Sequence, residues 1–375
     1  MYFINKTWKQ ITDEFPSKKI IFWGTGIIFK TFTEHHNDWW KYTAALVDRN
    51  LDKCGQKYEC DKHEIPIISI NDFLEMDCKD ILLMISCSDV EGIVTQLASV
   101  DKFLELECCY SHFVERMTMD EEEKLRVYPK SFRISAERQI PKKIHYCWFG
   151  KKTIPEKNRK WMESWKRFCP DYEIIEWNEN NYDVGKNAFM TDAYKAEKWA
   201  YVPDYARLDI VYQYGGIYLD TDVELIRPLD DLLYQNAFAG VDRTLRLSLG
   251  LGFGAAPKSD AFKDMMNIYT NSRFDETQMI PAPRAMENYF RTKGFIQDGN
   301  FQIIENGMTV YPEKVLSGKD YATGIIEPTE HTYAIHHYDG SWNDHTSLRR
   351  IKYAQDLYKE LVLNRNRLII KKSDI

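Results

Sequence analysis

Asp220 and Asp222 flank Thr221 at the end of the apolar run IYLD, residues 217–220. In an extended segment side chains at i and i+2 point to the same face. The pair then forms a half-site of hard carboxylate oxygens suited to Mg²⁺ or Mn²⁺, ions that keep positions open for phosphate oxygens. Upstream, Asp204 and Arg207 are i, i+3 neighbours on one helix face. Arg207 can bind a phosphate or a sugar hydroxyl with Asp204 beside it. The plain alternatives are a solvated D-x-D turn and a surface ion pair, the latter contributing under about 1 kcal/mol.

The elements that would position these groups are legible around them. A helix is expected over 203–214, with Pro203 in its first turn, where the missing N–H costs little. Gly215 and Gly216 stop it by accepting positive φ, and the strand 217–220 follows at once. Further back, a strand at 144–149, a helix at 155–168, a strand at 173–177 and a helix at 188–199 alternate. Aromatic-rich strands and turns are expected over 236–342. Such alternation implies an α/β domain on a mainly parallel sheet, placed at 140–345.

The N-terminal part repeats the theme. Strands are expected at 18–24, up to Asp48, at 66–70 and at 80–86, with helical spacing after Gly26 and in DVEGIVTQLASV. Residues 1–117 therefore read as a small Rossmann-like α/β domain, and 118–139, with the acidic MDEEEK, as a linker or connecting helix. Gly24-Thr25-Gly26 after a strand, with Asp48 ending the next, partly matches a dinucleotide-binding fingerprint. Phe29 stands where close helix–strand packing wants a third glycine or alanine. A structural or interaction role, an NAD site and another small-ligand site all stay open for this domain.

D-x-x-R (Asp204, Arg207) followed by YGGIYLDTD resembles the sugar-transferase signature of glycosyltransferase family 32. IPKKIHYCWFG (140–150) resembles that family's opening strand, EIIEWNENN its next strand and loop, and HHYDGSW (336–342) its closing motif. The resemblance spans about residues 140–342 and implies a GT-A fold, a nucleotide-sugar donor, a divalent cation (Mn²⁺ or Mg²⁺) and retention of anomeric configuration. It implies that Asp222 ligates the metal and that Asp220 contacts the ribose or a metal-bound water. Arg207 and Asp204 would hold the donor sugar, and Trp148 would stack on the base, a contact of about 1–3 kcal/mol. Adjacent His336 and His337 point to opposite faces of a strand, so one of them reaches the metal, and His336 is the expected one. Ser341 and Trp342 would donate to the β-phosphate through hydroxyl and indole N–H. His145 reads as a core residue. No catalytic base stands out, which fits retention with the leaving phosphate taking the acceptor's proton.

Composition bounds the rest. The 375 residues carry a net charge of −7. Residues 349–375 hold eight basic and three acidic groups, so this tail is +5 and the remaining body −12. An acidic body argues against a nucleic-acid binder. The basic segment, 346–375, is expected to be helical, either packed with a solvated basic face or lying on an anionic membrane surface. No run approaches the roughly 18 apolar residues of a spanning helix, and MYFINKTWKQITDEF lacks a signal-peptide pattern. Eight irregularly spaced cysteines with no C-x-x-C read as reduced thiols of a cytoplasmic protein. The expectation is a GT-A enzyme preceded by a Rossmann-like domain. It would take a UDP-sugar and a glycan or lipid-linked acceptor in bacterial surface polysaccharide synthesis, on the inner face of the membrane. The alternatives are a non-catalytic nucleotide-sugar-binding scaffold and an NAD-dependent enzyme.

Overall fold

Apolar runs of four to six residues form strands and amphipathic stretches form helices in the computed structural model, which describes residues 1–275, 282–340 and 344–370. Two units emerge, one built on residues 1–125 and the other on 126–321. Residues 325–340 belong to the second unit; 322–324 and the C-terminal residues from 344 belong to the first.

The first unit begins with β1 (Tyr2–Ile4), α1 (Trp8–Thr12), β2 (Lys19–Trp23), α2 (Ile27–His35), β3 (Thr43–Val47), β4 (Lys57–Cys60), β5 (His63–Ile68), α3 (Ile70–Glu75), β6 (Ile81–Ile85), α4 (Val90–Ala98), β7 (Glu107–Tyr110) and α5 (Ser111–Glu123). Its parallel strands lie in the order β1-β7-β6-β2-β3-β5, a doubly wound arrangement that reverses between β2 and β6. Strands covered on both faces must be apolar at every position, and Ile20–Trp23 and Leu82–Ile85 are buried throughout. The strand expected over 66–70 ends at Ile68. There the Ser69 hydroxyl accepts from the Asp72 N–H, and the Asp72 carboxylate accepts from the Ser69 N–H, starting a helix instead. Phe29 is fully buried, edge-on to Phe22 and Trp39.

The second unit contains β8 (Lys143–Cys147), α6 (Glu156–Phe168), β9 (Glu173–Trp177), α7 (Ala188–Lys195), α8 (Pro203–Tyr214), β10 (Gly216–Tyr218), β11 (Val223–Leu225), β12 (Ala237–Val241), β13 (Leu247–Ala255), α9 (Asp260–Thr270), α10 (Ala282–Thr292), β14 (Gln302–Ile303), β15 (Met308–Tyr311), α11 (Glu313–Leu316) and β16 (Ala334–His336). One mixed sheet runs β14-β15-β12-β13-β10-β8-β9, and β11 pairs with β16 in a separate two-stranded ribbon. β9, β8 and β10 are parallel, while β13 is antiparallel to β10. The region expected as strands and turns also holds α9 to α11. Phe262, Met265 and Tyr269, buried along one face of α9, are the helical spacing that the aromatic content masked. α7 stops at Lys195, short of the expected 199, and Glu197 takes a left-handed φ of 56°.

The C-terminal segment returns to the first unit as α12 (His345–Leu363) and β17 (Arg367–Ile369). β17 pairs antiparallel with β1, Leu368 opposite Phe3, and so extends the first sheet. α12 buries Ala354, Leu357, Tyr358 and Leu361, with Tyr358 edge-on to Phe113 at 4.9 Å. Where the sequence reading set the N-terminal domain's end at 117, α5 runs on to Glu123, held by buried Phe113, Val114 and Met119.

Candidate metal and sugar-donor site

The site is assembled around the carboxyl end of β10. α8 ends at Gly215 (φ 62°), and Gly216 follows with φ 108°. A Cβ on Gly216 would lie 2.9 Å from His145 Nε2 and 2.9 Å from Lys143 Cβ, so only glycine lets β10 pass this close to β8. β10 ends at Tyr218, and Asp220 follows two residues on. The Asp220 carbonyl accepts from the Val223 N–H at 3.0 Å. The two carboxylates therefore share a tight turn, not one face of a strand as the spacing suggested. Pairing with β13 ends at Tyr218, while β11 pairs elsewhere, with β16, and the chain must turn between the two.

That ribbon brings in the third candidate ligand. Val223 stands opposite His336, and His336 Nε2 lies 3.4 Å from Asp222 Oδ1. One ligand atom from each of Asp220, Asp222 and His336 falls within 4.8 Å of the others. His337 turns away: its Nε2 meets Glu224 Oε2 at 2.9 Å, and its ring stacks on Trp161 at 4.1 Å. Asp222 is fixed further by two backbone donors. Its Oδ2 accepts from the Asp339 N–H at 2.8 Å, and its carbonyl accepts from the His337 N–H at 2.8 Å.

Arg207 connects this turn to α8. Its guanidinium pairs with Asp204, both being buried, and its Nη1 lies 3.7 Å from Asp220 Oδ2. Across the sheet, a Cβ added to Gly250 of β13 would sit 3.3 Å from Asp220 Oδ2, so β13 brings bare backbone up to that carboxylate. Burial and the neighbouring Asp222 charge hold the Asp220 carboxyl above the ordinary range, against the pull of Arg207. Burial works to lower the Arg207 guanidinium, but Asp220 and the other ionisable groups around it together outweigh that effect and the net shift is upward.

Two crowded carboxylates and an imidazole nitrogen fit a divalent cation. Such a charge offsets the burial and the Asp222 repulsion that raise Asp220, and His336 Nδ1 is buried without a hydrogen-bond partner among the described residues, its ring meeting Tyr338 edge-on at 4.2 Å. Carboxylate oxygens suit Mg²⁺ and Mn²⁺, and imidazole favours the transition ion of the two.

The other expected site residues are placed as follows. Trp148 lies beyond the carboxyl end of β8, half-buried, its indole N–H donating to the Lys152 carbonyl. Ser341 and Trp342 fall outside the described residues. His145 is fully buried, 2.8 Å from the Gly215 carbonyl through Nε2 and accepting from Trp177 Nε1 at 3.1 Å through Nδ1. Beyond the ends of β8 and β9 lies a cavity of about 340 Å³, lined by Gly150, Glu179, Tyr194 and Trp199 with Lys151, Lys195 and Glu197. Glu179 accepts there from the Gly150 N–H at 2.6 Å and from the Tyr194 hydroxyl at 3.1 Å. No spacing in the sequence marks these residues as neighbours.

The α/β unit gathers carboxylates and an arginine at the end of a central strand. Its residues 155–239 match the family described as glycosyltransferase sugar-binding region containing DXD motif. Inositol phosphoceramide mannosyltransferase 1 of Schizosaccharomyces pombe is 32% identical over 111 residues, covering 27% of this chain and 33% of the relative. Subversion of eukaryotic traffic protein A of Legionella pneumophila is 29% identical over 125 residues, covering 26% and 19%. This chain thus spans a third or less of these relatives' lengths. Among solved structures, the PaToxG glycosyltransferase aligns with TM-score 0.30 at 17% identity, covering 42% of this chain and 68% of that one. A glycosyltransferase involved in glycosylation of the major capsid of PBCV-1 aligns with TM-score 0.32 at 11% identity, covering 57% and 98%.

Proposed function

We propose that the protein is a metal-dependent, retaining glycosyltransferase that moves a hexose from a nucleotide sugar, a UDP-sugar in the first instance, to a glycan or lipid-linked saccharide. The convergence of His336 on Asp220 and Asp222 beside Arg207, the latter three inside the matched sugar-binding region, carries this reading. Asp220, Asp222 and His336 would hold Mn²⁺ or Mg²⁺. When bound, the ion supplies Lewis-acid neutralisation of a diphosphate leaving group. Arg207, pre-positioned by Asp204, adds a fixed positive charge next to Asp220 for the donor. Gly250 lets the β13 backbone come close to Asp220. The carboxylates are committed to the cation, so a two-carboxylate hydrolase is a poorer fit.

The test is release of nucleoside diphosphate from a panel of nucleotide sugars with Mn²⁺ or with EDTA. Turnover should need the ion and should fall at least about 100-fold in Asp222→Asn. Metal-independent turnover, or full activity in Asp220→Asn/Asp222→Asn, would refute the reading.

A role in surface polysaccharide synthesis at the cytoplasmic face of a membrane is part of the same proposal. Among the described residues no helix is long and apolar enough to cross a membrane. Exposed Leu348, Val362 and Leu363 on α12, with Ile369 on β17, lie among the basic residues of the tail. Truncating this segment would remove part of the first unit's core, so a liposome test needs Val362→Ser/Leu363→Ser with intact α12. Equal flotation of both proteins on anionic vesicles would argue against membrane contact through this helix.

The NAD-dependent alternative meets an obstacle. Asp48, the carboxylate in the ribose position of the fingerprint, is already bound by the Thr25 hydroxyl and by Lys53 at 3.1 Å.

A further inference from the structure

Both chain segments that supply metal ligands, the turn 220–222 with β11 and the closing stretch 336–339, rest on one helix, α6. Trp165 Nε1 donates to the Val223 carbonyl at 2.8 Å, and Ser164 Oγ accepts from the Leu225 N–H at 2.8 Å. Trp161 stacks on His337 at 4.1 Å with 9° between the rings, and Lys157 pairs with the Asp339 carboxylate. Asn158 Nδ2 donates to the Thr221 hydroxyl at 3.3 Å. Asn158, Trp161 and Trp165 are spaced i, i+3, i+7 and so form one stripe of the helix. Asn158 is 2% exposed, and its Oδ1 has no hydrogen-bond partner among the described residues. A buried carboxamide with half its capacity unused costs free energy, which suggests that it is kept for something other than stability.

We propose that Asn158 is the positioning residue of the metal centre: by holding Thr221, it sets the separation of the Asp220 and Asp222 carboxylates, with α6 as the rigid platform. The inference rests on the metal reading of that cluster. The geometry is specific. Thr221 is the one residue between the two carboxylates, the backbone of Val223 and Leu225 just downstream is held by the same helix, and a polar pair is the least apolar point in an otherwise aromatic stripe. Groups that orient metal ligands from behind typically change metal affinity by about 10- to 100-fold when removed.

The experiment measures Mn²⁺ binding calorimetrically on the full chain, for wild type, Asn158→Ala, Thr221→Val, the double variant and Asp222→Asn. Thr221→Val keeps the shape and removes only the hydroxyl, so it decides the matter if Asn158→Ala does not fold. Each single variant is expected to weaken Mn²⁺ binding by about tenfold, and the double variant no further, because the two act through one hydrogen bond. Diphosphate release by Asn158→Ala should recover toward the wild-type kcat at high Mn²⁺, with only the Mn²⁺ requirement raised. Wild-type affinity in Thr221→Val, independent losses that add in the double variant, or a melting-temperature drop with unchanged affinity would overturn the proposal. If wild type and Asp222→Asn bind Mn²⁺ alike, the metal reading itself falls and the inference with it. If Asp222→Asn alone loses the ion, only the positioning role of Asn158 fails.

Discussion

His336 Nε2 stands 3.4 Å from Asp222 Oδ1, whereas the next residue, His337, is turned to Glu224 and Trp161. Strand alternation separates the two rings, and the pairing of β16 with β11 decides which one faces the carboxylates. His336→Ala should weaken Mn²⁺ binding and slow diphosphate release by at least about tenfold, as the loss of one of three ligands would. His337→Ala should leave Mn²⁺ affinity within about threefold of wild type and show instead as a lower melting temperature. Titration calorimetry on the two variants separates these outcomes.

Arg207 and Asp204 are a buried pair next to Asp220. Removing one member of such a pair leaves an uncompensated charge and costs about 3–5 kcal/mol. Asp204→Ala is therefore expected to destabilise the second unit by that order in urea unfolding. Arg207→Lys keeps the charge but not the planar fork. It should fold, with diphosphate release reduced by about 100-fold and Mn²⁺ affinity little changed, an outcome read from kinetics and calorimetry on the same preparation.

His145 links stability to pH. Burial lowers its pKa from 6.5 to about 4, so the folded state holds the ring neutral while the unfolded chain protonates it near 6.5. Between these values the unfolded state binds more protons, so stability falls as pH drops, by up to about 1.4 kcal/mol per unit. The loss is complete below about pH 4 and absent above about pH 6.5. In His145→Gln this component of the slope should vanish. Urea midpoints compared at pH 7 and pH 5 would show it, and an unchanged slope would contradict the assignment.

Gly216→Ala should damage the site from a distance. Its φ of 108° and the 2.9 Å approach to His145 and Lys143 leave no room for a methyl group. A cost of about 1–3 kcal/mol is expected, with weaker Mn²⁺ binding because β10 carries the D-x-D turn. Gly26→Ala is the control, since a Cβ there meets nothing within 4 Å.

Deleting residues from 344 onward removes α12 and β17 together. That exposes Phe113 and the β1 edge in the first unit, so this deletion is expected to give an aggregation-prone protein. Point changes at Lys352 or Lys359, which are exposed and pair with Asp356 on the same helix, should shift stability by under about 1 kcal/mol. Thermal unfolding and size-exclusion profiles distinguish the two cases.

Much of this protein is set locally. Pro203, Gly215 and Gly216 act through backbone dihedrals, and the helix and strand they bound appear where those residues place them. EIIEW forms β9 over the same five residues that its β-rich composition suggests. The apolar runs of β2 and β6 needed no partner to be read as buried strands. The D-x-D and the D-x-x-R could likewise be picked out as candidate chemistry-bearing residues, the HHYDGSW block through its resemblance to a family motif. What local rules do not contain is which distant segments meet. Tertiary pairing put His336 across from Val223, turned Asp220 and Asp222 into a shared loop, and drew the basic tail into the first sheet through β17. It also gathered Asn158, Trp161 and Trp165 behind the site. The contacts between those distant segments join residues from 58 to more than 350 positions apart, and their energies depend on packing and strand register, which no local window of sequence expresses.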